Sequence, residues 1–405
     1  MQDSKTLIDL EDSYGAHNYH PLDVVLARGE GIWVWDVDGK KYMDFLASYS
    51  AVNQGHCHPL IVDALVEQSR KLALTSRAFR NDQLGPFYKE LCDLTGFEKV
   101  LPMNTGAEAV ETAIKAARKW GYKVKGVPDG QAEILVFSEN FHGRTTTIVG
   151  FSSEEQYRDG FGPFTPGFTL LPYGDVDAVR VAMNPNVVAI LIEPIQGEGG
   201  IILPPDGYLQ TLRALCDEHN ALLVMDEIQS GLGRTGKMFA YEHEGIRPDM
   251  VTIGKALSGG MYPVSALLAD DVVMSVFQPG DHGSTYGGNP VAAAVARTAL
   301  RVLVDEDLIQ NSSELGGYLM ERLSRLNSAH IKEIRGKGLW VGIELQPEAG
   351  GARRFCEQLK EDGLLCKETH EHVIRLAPPL VITRSELDWM LERVERVLVS
   401  EAVAV

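Results

Sequence analysis

The stretch Ala221–Lys255, ALLVMDEIQSGLGRTGKMFAYEHEGIRPDMVTIGK, contains two short apolar runs, each ending on charged residues. Ala221–Met225 runs into Asp226 and Glu227, and Met250–Ile253 runs into Gly254 and Lys255. Apolar runs this short, bounded by turn residues, predict buried strands of an α/β sheet. Ligands of such sheets sit outside the carboxyl ends of the strands, so Asp226 and Lys255 are expected to face one crevice. Singly, a lysine after a strand is usually a solvated surface group and an aspartate there usually caps a helix. Between the two runs, Gly231-Leu232-Gly233-Arg234-Thr235-Gly236 matches the dinucleotide fingerprint. That fingerprint must follow its strand at once and open an amphipathic helix. Here residues 227–230 intervene and Lys237-Met238-Phe239-Ala240 continues without helical periodicity, so a loop is predicted.

A lysine and an aspartate in one crevice have a chemical use. An ordinary lysine amine, with a pKa of ~10.4, is mostly protonated and a poor nucleophile. Desolvation or a cationic neighbour frees it to form a Schiff base with an aldehyde. Pyridoxal phosphate is the cofactor that needs such a lysine, together with a carboxylate that keeps its pyridine nitrogen protonated. The pattern assigns Lys255 to the aldehyde and Asp226 to the ring nitrogen.

At 405 residues the chain can bury a large core and is expected to make two domains. A formal net charge of -18 argues against a nucleic-acid partner. Five cysteines (Cys57, Cys92, Cys216, Cys356 and Cys366) show no framework spacing, and their odd number suits a reducing compartment. The beginning is acidic and lacks an apolar signal region, and no run reaches membrane length, so a cytoplasmic protein with no membrane partner is expected.

Working outward, Gly31–Phe45 holds two alternating runs around Asp38-Gly39, a β-hairpin signal, with Tyr19 before it and Tyr49 after it. His56-Cys57-His58 is a poor metal site, because ligands two apart in one loop lack a second cluster, and no metal is expected. Residues 60–95 are predicted helical. A strand then leads through Asn104-Thr105-Gly106-Ala107 into a helix with Ala109, Ala113, Ile114 and Ala117 on one face. Free N–H groups and the dipole at that helix start suit a phosphate, although a plain capped helix reads the same way. Ile134–Phe137 predicts another strand, followed by Phe141, His142 and Arg144. The aromatic pair could stack on a planar ring, and Arg144 could hold a carboxylate bidentately. Val187–Ile192 predicts a strand ending in Glu193-Pro-Ile-Gln-Gly-Glu198-Gly-Gly. Past Lys255, His282-Gly-Ser284-Thr285-Tyr-Gly-Gly-Asn289 offers hydroxyl and backbone donors in a glycine-rich loop, again suited to a phosphate. The last hundred residues mix short strands and helices, an α+β cap. Within them Arg375, flanked by apolar residues, should meet a carboxylate of the protein or a substrate.

These stretches together resemble the fold-type I, class III aminotransferases, and within them the ornithine-using branch. The resemblance rests on Tyr14–Pro21, Ser50–Pro59, Leu101–Gly106, Gly160–Phe164 and His282–Asn289, and it covers the chain from about Tyr14 to Ile382. It implies a large domain with a mainly parallel sheet over residues 56–300, and a smaller α+β domain built from 1–55 and 301–405. It implies that Lys255 carries the cofactor and moves the proton, that Asp226 pairs with the ring nitrogen and that Gln229 contacts the phenolic oxygen. Phe141 and His142 would lie against the ring, and Gly106 and Ala107 would bind the phosphate. Ser284 would also bind the cofactor, and Thr285 would reach the phosphate from a neighbouring subunit of a homodimer. Tyr19, Tyr49 and Arg144 would hold ornithine. Glu198 would hide Arg375 until 2-oxoglutarate or glutamate arrives. The implied reaction converts L-ornithine and 2-oxoglutarate to glutamate 5-semialdehyde, which cyclises, and L-glutamate. N-acetylornithine, 4-aminobutyrate or lysine would be the substrate of sister enzymes. His142 and Ser230 depart from the pattern expected of the family, and neither is expected to touch an assigned role.

Overall fold

A computed structural model of the chain describes residues 3–399. Its organising element is a seven-stranded sheet. The strands in chain order start with three near the N-terminus: β1 (Leu26–Glu30), β2 (Trp33–Asp36) and β3 (Lys41–Asp44). The central sheet uses β4 (Lys99–Met103), β5 (Glu133–Phe137), β6 (Phe168–Leu171), β7 (Val187–Ile192), β8 (Leu222–Asp226), β9 (Met250–Ile253) and β10 (Ser265–Ala269). Their spatial order is β4-β10-β9-β8-β7-β5-β6, and β10 alone runs antiparallel to its neighbours. Each of β7, β8, β9 and β10 is buried along its whole length. Strands covered on both faces read as continuous apolar runs, which is why the hydrophobic pattern locates them.

The expected hairpin at residues 31–45 is present: β2 and β3 pair antiparallel, with Trp33 opposite Met43 and Trp35 opposite Lys41. Asp36 closes its turn by accepting from Lys40 N at 2.8 Å. The fingerprint-like stretch at 231–236 is a run of turns, as expected. Residues 60–95 differ from expectation. They form two helices, Pro59–Lys71 and Leu84–Thr95. Between them Ser76 takes a left-handed φ of 52°, and the Asn81 side chain accepts from Gln83 N and Leu84 N to start the second helix. A local side-chain acceptor of this kind competes with continued helix.

The C-terminal part contributes β11 (Ile331–Gly336), β12 (Val341–Leu345), β13 (Leu364–Leu365), β14 (Lys367–Thr369) and β15 (Val373–Leu376). β13 pairs with β3, so the N- and C-terminal segments share a sheet, ordered β1-β2-β3-β13. A second sheet, β11-β12-β15-β14, presents Arg375. Arg234, from the fingerprint-like loop, is fully buried where these parts meet. It donates to Leu339 O at 2.9 Å and Pro378 O at 2.7 Å, and also to Asn53 Oδ1. No helix of the described residues is long and apolar enough to cross a membrane.

Candidate active site

Four parallel strands end at one place. β8 delivers Asp226, β9 delivers Lys255, β7 delivers Glu193 and β5 delivers Phe141 and His142. Together with Gly106, Ala107, Gly143, Ile195, Ile228, Gln229 and Ser230 these residues line a pocket of about 190 Å³. Of the residues expected to serve the cofactor, it gathers Gly106, Ala107, Phe141, His142, Asp226, Gln229 and Lys255.

Asp226 is 4% exposed and accepts on both oxygens. Oδ1 takes Thr252 Oγ1 and Ile228 N, each at 3.1 Å; Thr252 is its partner in the β8–β9 register. Oδ2 lies 2.6 Å from His142 Nδ1. His142 is buried as well. Burial alone would lower its pKa, but the hydrogen bond and charge of Asp226 outweigh it and raise the imidazole above its ordinary value. The expectation that His142 touches no assigned role is therefore corrected: its ring is bonded to Asp226, the carboxylate expected to meet the ring nitrogen. A residue type alone does not disclose this, because the two are brought together only by β5 and β8. Ser230, by contrast, donates to Glu227 Oε2 at 2.6 Å, outside the assigned roles.

Lys255 opens a short turn of 3₁₀ helix in the left-handed region, φ 41°, a conformation L-residues adopt at a cost and usually where the surroundings enforce it. Its amine donates to Gln229 Oε1 at 3.1 Å. Enclosure by protein lowers its pKa below the ordinary lysine value; Glu198, Asp226 and Glu193 oppose that shift and Arg375 adds to it. A lysine so placed is a better nucleophile than a solvated one. The pocket also takes in Gly106 and Ala107, the start of the helix Gly106–Trp120, which is capped by the Thr105–Glu108 box. Gly143, at φ 128°, comes so close that a Cβ there would lie 2.8 Å from the Ala107 Cβ. The backbone is thus kept clear on this side, and the combination of enclosed amine, buried carboxylate, the Phe141 ring in the pocket wall and a helix start fits pyridoxal phosphate.

Glu193, noted in sequence only as one of two glutamates beside glycines, proves to be a buried wall of the pocket. It accepts from Phe141 N at 2.9 Å, tying the loops after β5 and β7 together, and burial pushes its carboxyl up to about 7. The signal for it was available: an acid directly after a strand whose six residues are all buried.

Arg375 is 2% exposed and its Nη1 donates to Glu198 Oε1 at 2.6 Å, the carboxylate the sequence required. Its guanidinium lies 4.9 Å from the centre of the Tyr49 ring. Arg144 is exposed and packs 3.4 Å from the centre of the Tyr157 ring, an aromatic that sequence reading passed over. Tyr19 is 78% exposed and lines a second cavity with Tyr49, not the pocket of Lys255. Ser284 accepts from Asn104 Nδ2 at 2.8 Å, while Thr285 is exposed, and neither lines that pocket within one chain. His56 and His58 face different carboxylates, Asp44 and Glu306.

The sequence profile of the aminotransferase class-III family matches residues 14–398. The chain is a class III aminotransferase. The aminotransferase is 58% identical over 393 residues to the ornithine aminotransferase of Bordetella pertussis, covering 97% of this chain and 95% of that one. It superposes on the ornithine aminotransferase of Toxoplasma gondii with a TM-score of 0.97 at 44% identity, covering 99% and 95% of the two chains; pyridoxal phosphate partly occupies the active site of that protein. The acetylornithine aminotransferase of Elizabethkingia anophelis superposes with a TM-score of 0.89 at 49% identity, covering 98% and 99%. The class III aminotransferases are pyridoxal phosphate enzymes, so this aminotransferase uses that cofactor.

Proposed function

We propose that the aminotransferase moves the δ-amino group of L-ornithine to 2-oxoglutarate in two alternating half-reactions. The products are L-glutamate and glutamate 5-semialdehyde, which cyclises to pyrroline-5-carboxylate. The observation that carries the reading is the Glu198–Arg375 pair standing within electrostatic reach of Lys255. A buried arginine that a mobile acid can cover or release serves two substrates in one pocket. Covered, it leaves the pocket to ornithine, which carries its own charged groups farther out; released, it grips the α-carboxylate of 2-oxoglutarate or glutamate. Its charge is neutralised in both states, as a buried cation requires.

In this reading Lys255 would hold the cofactor's aldehyde carbon and would move the proton at the substrate carbon bearing the amine. Asp226, held by His142, would pair with the ring nitrogen; Gln229 would contact the phenolic oxygen; Phe141 would stack on the ring; Gly106 and Ala107 would bind the phosphate. When bound, the cofactor supplies an electron sink for the carbon losing its proton. Tyr19, Tyr49 and Arg144 receive the far end of ornithine. Ser284 adds a hydroxyl for the cofactor, and Thr285 reaches the phosphate of a second copy, which makes the working unit a homodimer. The same reading places a cofactor-holding domain over 56–300, a smaller one over 1–55 and 301–405, and the enzyme in the cytoplasm, in arginine and proline metabolism.

N-acetylornithine is the second reading, favoured by the likeness to the acetylornithine aminotransferase of Elizabethkingia anophelis. A single-turnover absorbance experiment on the holoenzyme, without any oxo acid, decides between them. L-ornithine, N-acetylornithine and 4-aminobutyrate are added separately and the bound cofactor's band is followed. Rapid loss of the band with ornithine, and pyrroline-5-carboxylate trapped as product, is expected. Faster loss with another amine would move the specificity to that amine.

A further inference from the structure

Glu198 sits in a short loop closed by its own backbone. Gln196 N donates to Ile202 O at 3.0 Å and Ile202 N to Gln196 O at 2.9 Å, which ties the two ends together. The loop is tightly packed: a Cβ on Gly197 would lie 2.7 Å from the Trp340 ring, and one on Gly199 would lie 2.9 Å from Glu139 O. Three carbonyls inside it are held from one sheet, β11-β12-β15-β14. Arg335 on β11 donates from Nε to Gly200 O at 3.1 Å and Ile201 O at 3.2 Å, and from Nη2 to Gly200 O at 2.8 Å. Its Nη1 goes to Glu333 at 2.8 Å and to Glu344. Thr369, buried at the end of β14, donates its hydroxyl to the Glu198 carbonyl.

The sheet that holds the loop also carries Arg375. Thr369 pairs with Val373 in the β14–β15 ladder, two residues before Arg375, and Gly342 of β12 lies opposite Arg375. A Cβ on Gly342 would lie 3.1 Å from Gly200 O, so the loop backbone rests on the strand pair that presents the arginine. Loop backbone and arginine thus share one frame. The Glu198 side chain, bonded to Arg375 Nη1, is the part left to move. A carboxylate on a held backbone meets its partner at a higher effective concentration than one on a loose loop.

We propose that Thr369 is a positioning residue that sets how firmly Glu198 covers Arg375, and through that cover the affinity for 2-oxoglutarate. Arg335 shares the task by holding two carbonyls farther along the loop. Neither side chain lines the Lys255 pocket; both act through the backbone of the Glu198 loop. The proposal rests on the reading of Arg375 as the receiver of the 2-oxoglutarate carboxylate. Its consequence has a sign. 2-Oxoglutarate must find Arg375 uncovered, so its apparent affinity is cut to the fraction of molecules in which the pair is open. Loosening the loop opens the pair more often and tightens 2-oxoglutarate. In the same reading ornithine binds while the pair is closed. A pair closed most of the time stays mostly closed after a severalfold loss, so ornithine changes little.

The test measures the apparent Kd of each substrate in its own half-reaction of the holoenzyme by stopped-flow absorbance. The variants are Thr369→Val, Thr369→Ser, Glu198→Gln and Glu198→Gln/Thr369→Val, beside the wild type. Thr369→Val keeps the shape and removes the donor. It is expected to lower the apparent Kd for 2-oxoglutarate about three- to fivefold, within the worth of one hydrogen bond, and to leave that for ornithine within about twofold. Thr369→Ser keeps the hydroxyl and is expected to match the wild type. Glu198→Gln is expected to tighten 2-oxoglutarate, and adding Thr369→Val to it to change nothing more, because no charge pair is left to set. A merely structural bond would weaken both substrates together, or would shift 2-oxoglutarate equally with and without the Glu198 carboxylate; either result overturns the proposal. If Glu198→Gln does not tighten 2-oxoglutarate, the covering of Arg375 has failed as a reading and the role of Thr369 falls with it. If Glu198→Gln tightens it and Thr369→Val does not, the role of Thr369 alone is wrong. Should Thr369→Val not fold, Thr369→Cys, a weaker donor of nearly the same shape, decides by the same sign.

Discussion

At the floor of the pocket Asp226 is met by three donors, each delivered by a buried strand or its first turn, and Lys255 is fixed in a left-handed conformation beside it. At the mouth, Arg375 meets one carboxylate oxygen of Glu198 and one aromatic ring, and Glu198 comes from a glycine-bounded loop that keeps it half-buried. The floor is redundant: removing one donor leaves Asp226 with two others. The mouth is sparse, and a sparse contact between opposite charges can be exchanged for another of the same kind. On the proposed function, the group that must stay still through both half-reactions is the over-determined one, and the group that must serve two substrates is the one with a partner it can trade.

Substitutions break that contrast in different places. The largest effect belongs to the floor. Lys255→Ala should lower both half-reactions by about 10⁴-fold, since its amine is the group proposed both to hold the cofactor and to carry the proton at the reacting carbon. A rate loss confined to one half-reaction would remove Lys255 from the proton path. At the mouth, Arg375→Ala should raise the KM for 2-oxoglutarate roughly 10–100-fold, the size of a lost hydrogen bond to a charged group, and change that for ornithine far less. Equal changes in both would mean that the arginine is a fixed structural cation and not a traded one.

The floor was legible in the sequence and the mouth only in part, for a physical reason. Strands buried on both faces must be apolar throughout, so the runs ending at Asp226, Lys255 and Ile192 announce themselves, and parallel pairing then brings their ends to one edge. Arg375 was legible because a cation among apolar residues demands a partner. Which carboxylate answers could be named only through the family resemblance. Contacts that depend on two distant strands or on backbone conformation leave no local pattern. The His142–Asp226 bond joins residues eighty-four positions apart. Residues 47–50 make a left-handed turn with no glycine to mark it. Glu193 lay between: its place after a buried strand was visible, and its bond to Phe141 N was not.

A smaller effect sharpens the description of the mouth. Tyr19 lines the cavity that also holds Tyr49 and sits apart from the Lys255 pocket within one chain. If it receives the far end of ornithine, Tyr19→Ile should lower the preference for ornithine over 4-aminobutyrate about tenfold, because a hydroxyl that selects for a polar group is gone. The ratio of kcat/KM values measures this, and an unchanged ratio would take Tyr19 out of the specificity.

The smallest effect concerns stability at the floor. Glu227 follows Asp226 directly but turns away from the reaction, accepting from Ser230 Oγ at 2.6 Å and from Tyr241 N at 2.9 Å. It is fully enclosed, and burial pushes its carboxyl from the ordinary 4.5 up to about 7. The folded state therefore holds this proton more tightly than the unfolded chain does. The stabilisation it brings is complete below pH 4.5, fades as pH rises, and is gone above about 7. Glu193 has the same direction and window, so the two add to one slope. Glu227→Gln keeps the shape and removes one of the two titrations. Its Tm measured from pH 5 to 8 should fall less with rising pH than that of the wild type, while Asp226 keeps its donors and both half-reactions keep their rates. A variant whose Tm falls as steeply as the wild type would show that Glu227 is already ionised in the folded protein at pH 5. Its two donors, Ser230 Oγ and Tyr241 N, would then be enough to hold a charge in that enclosed place.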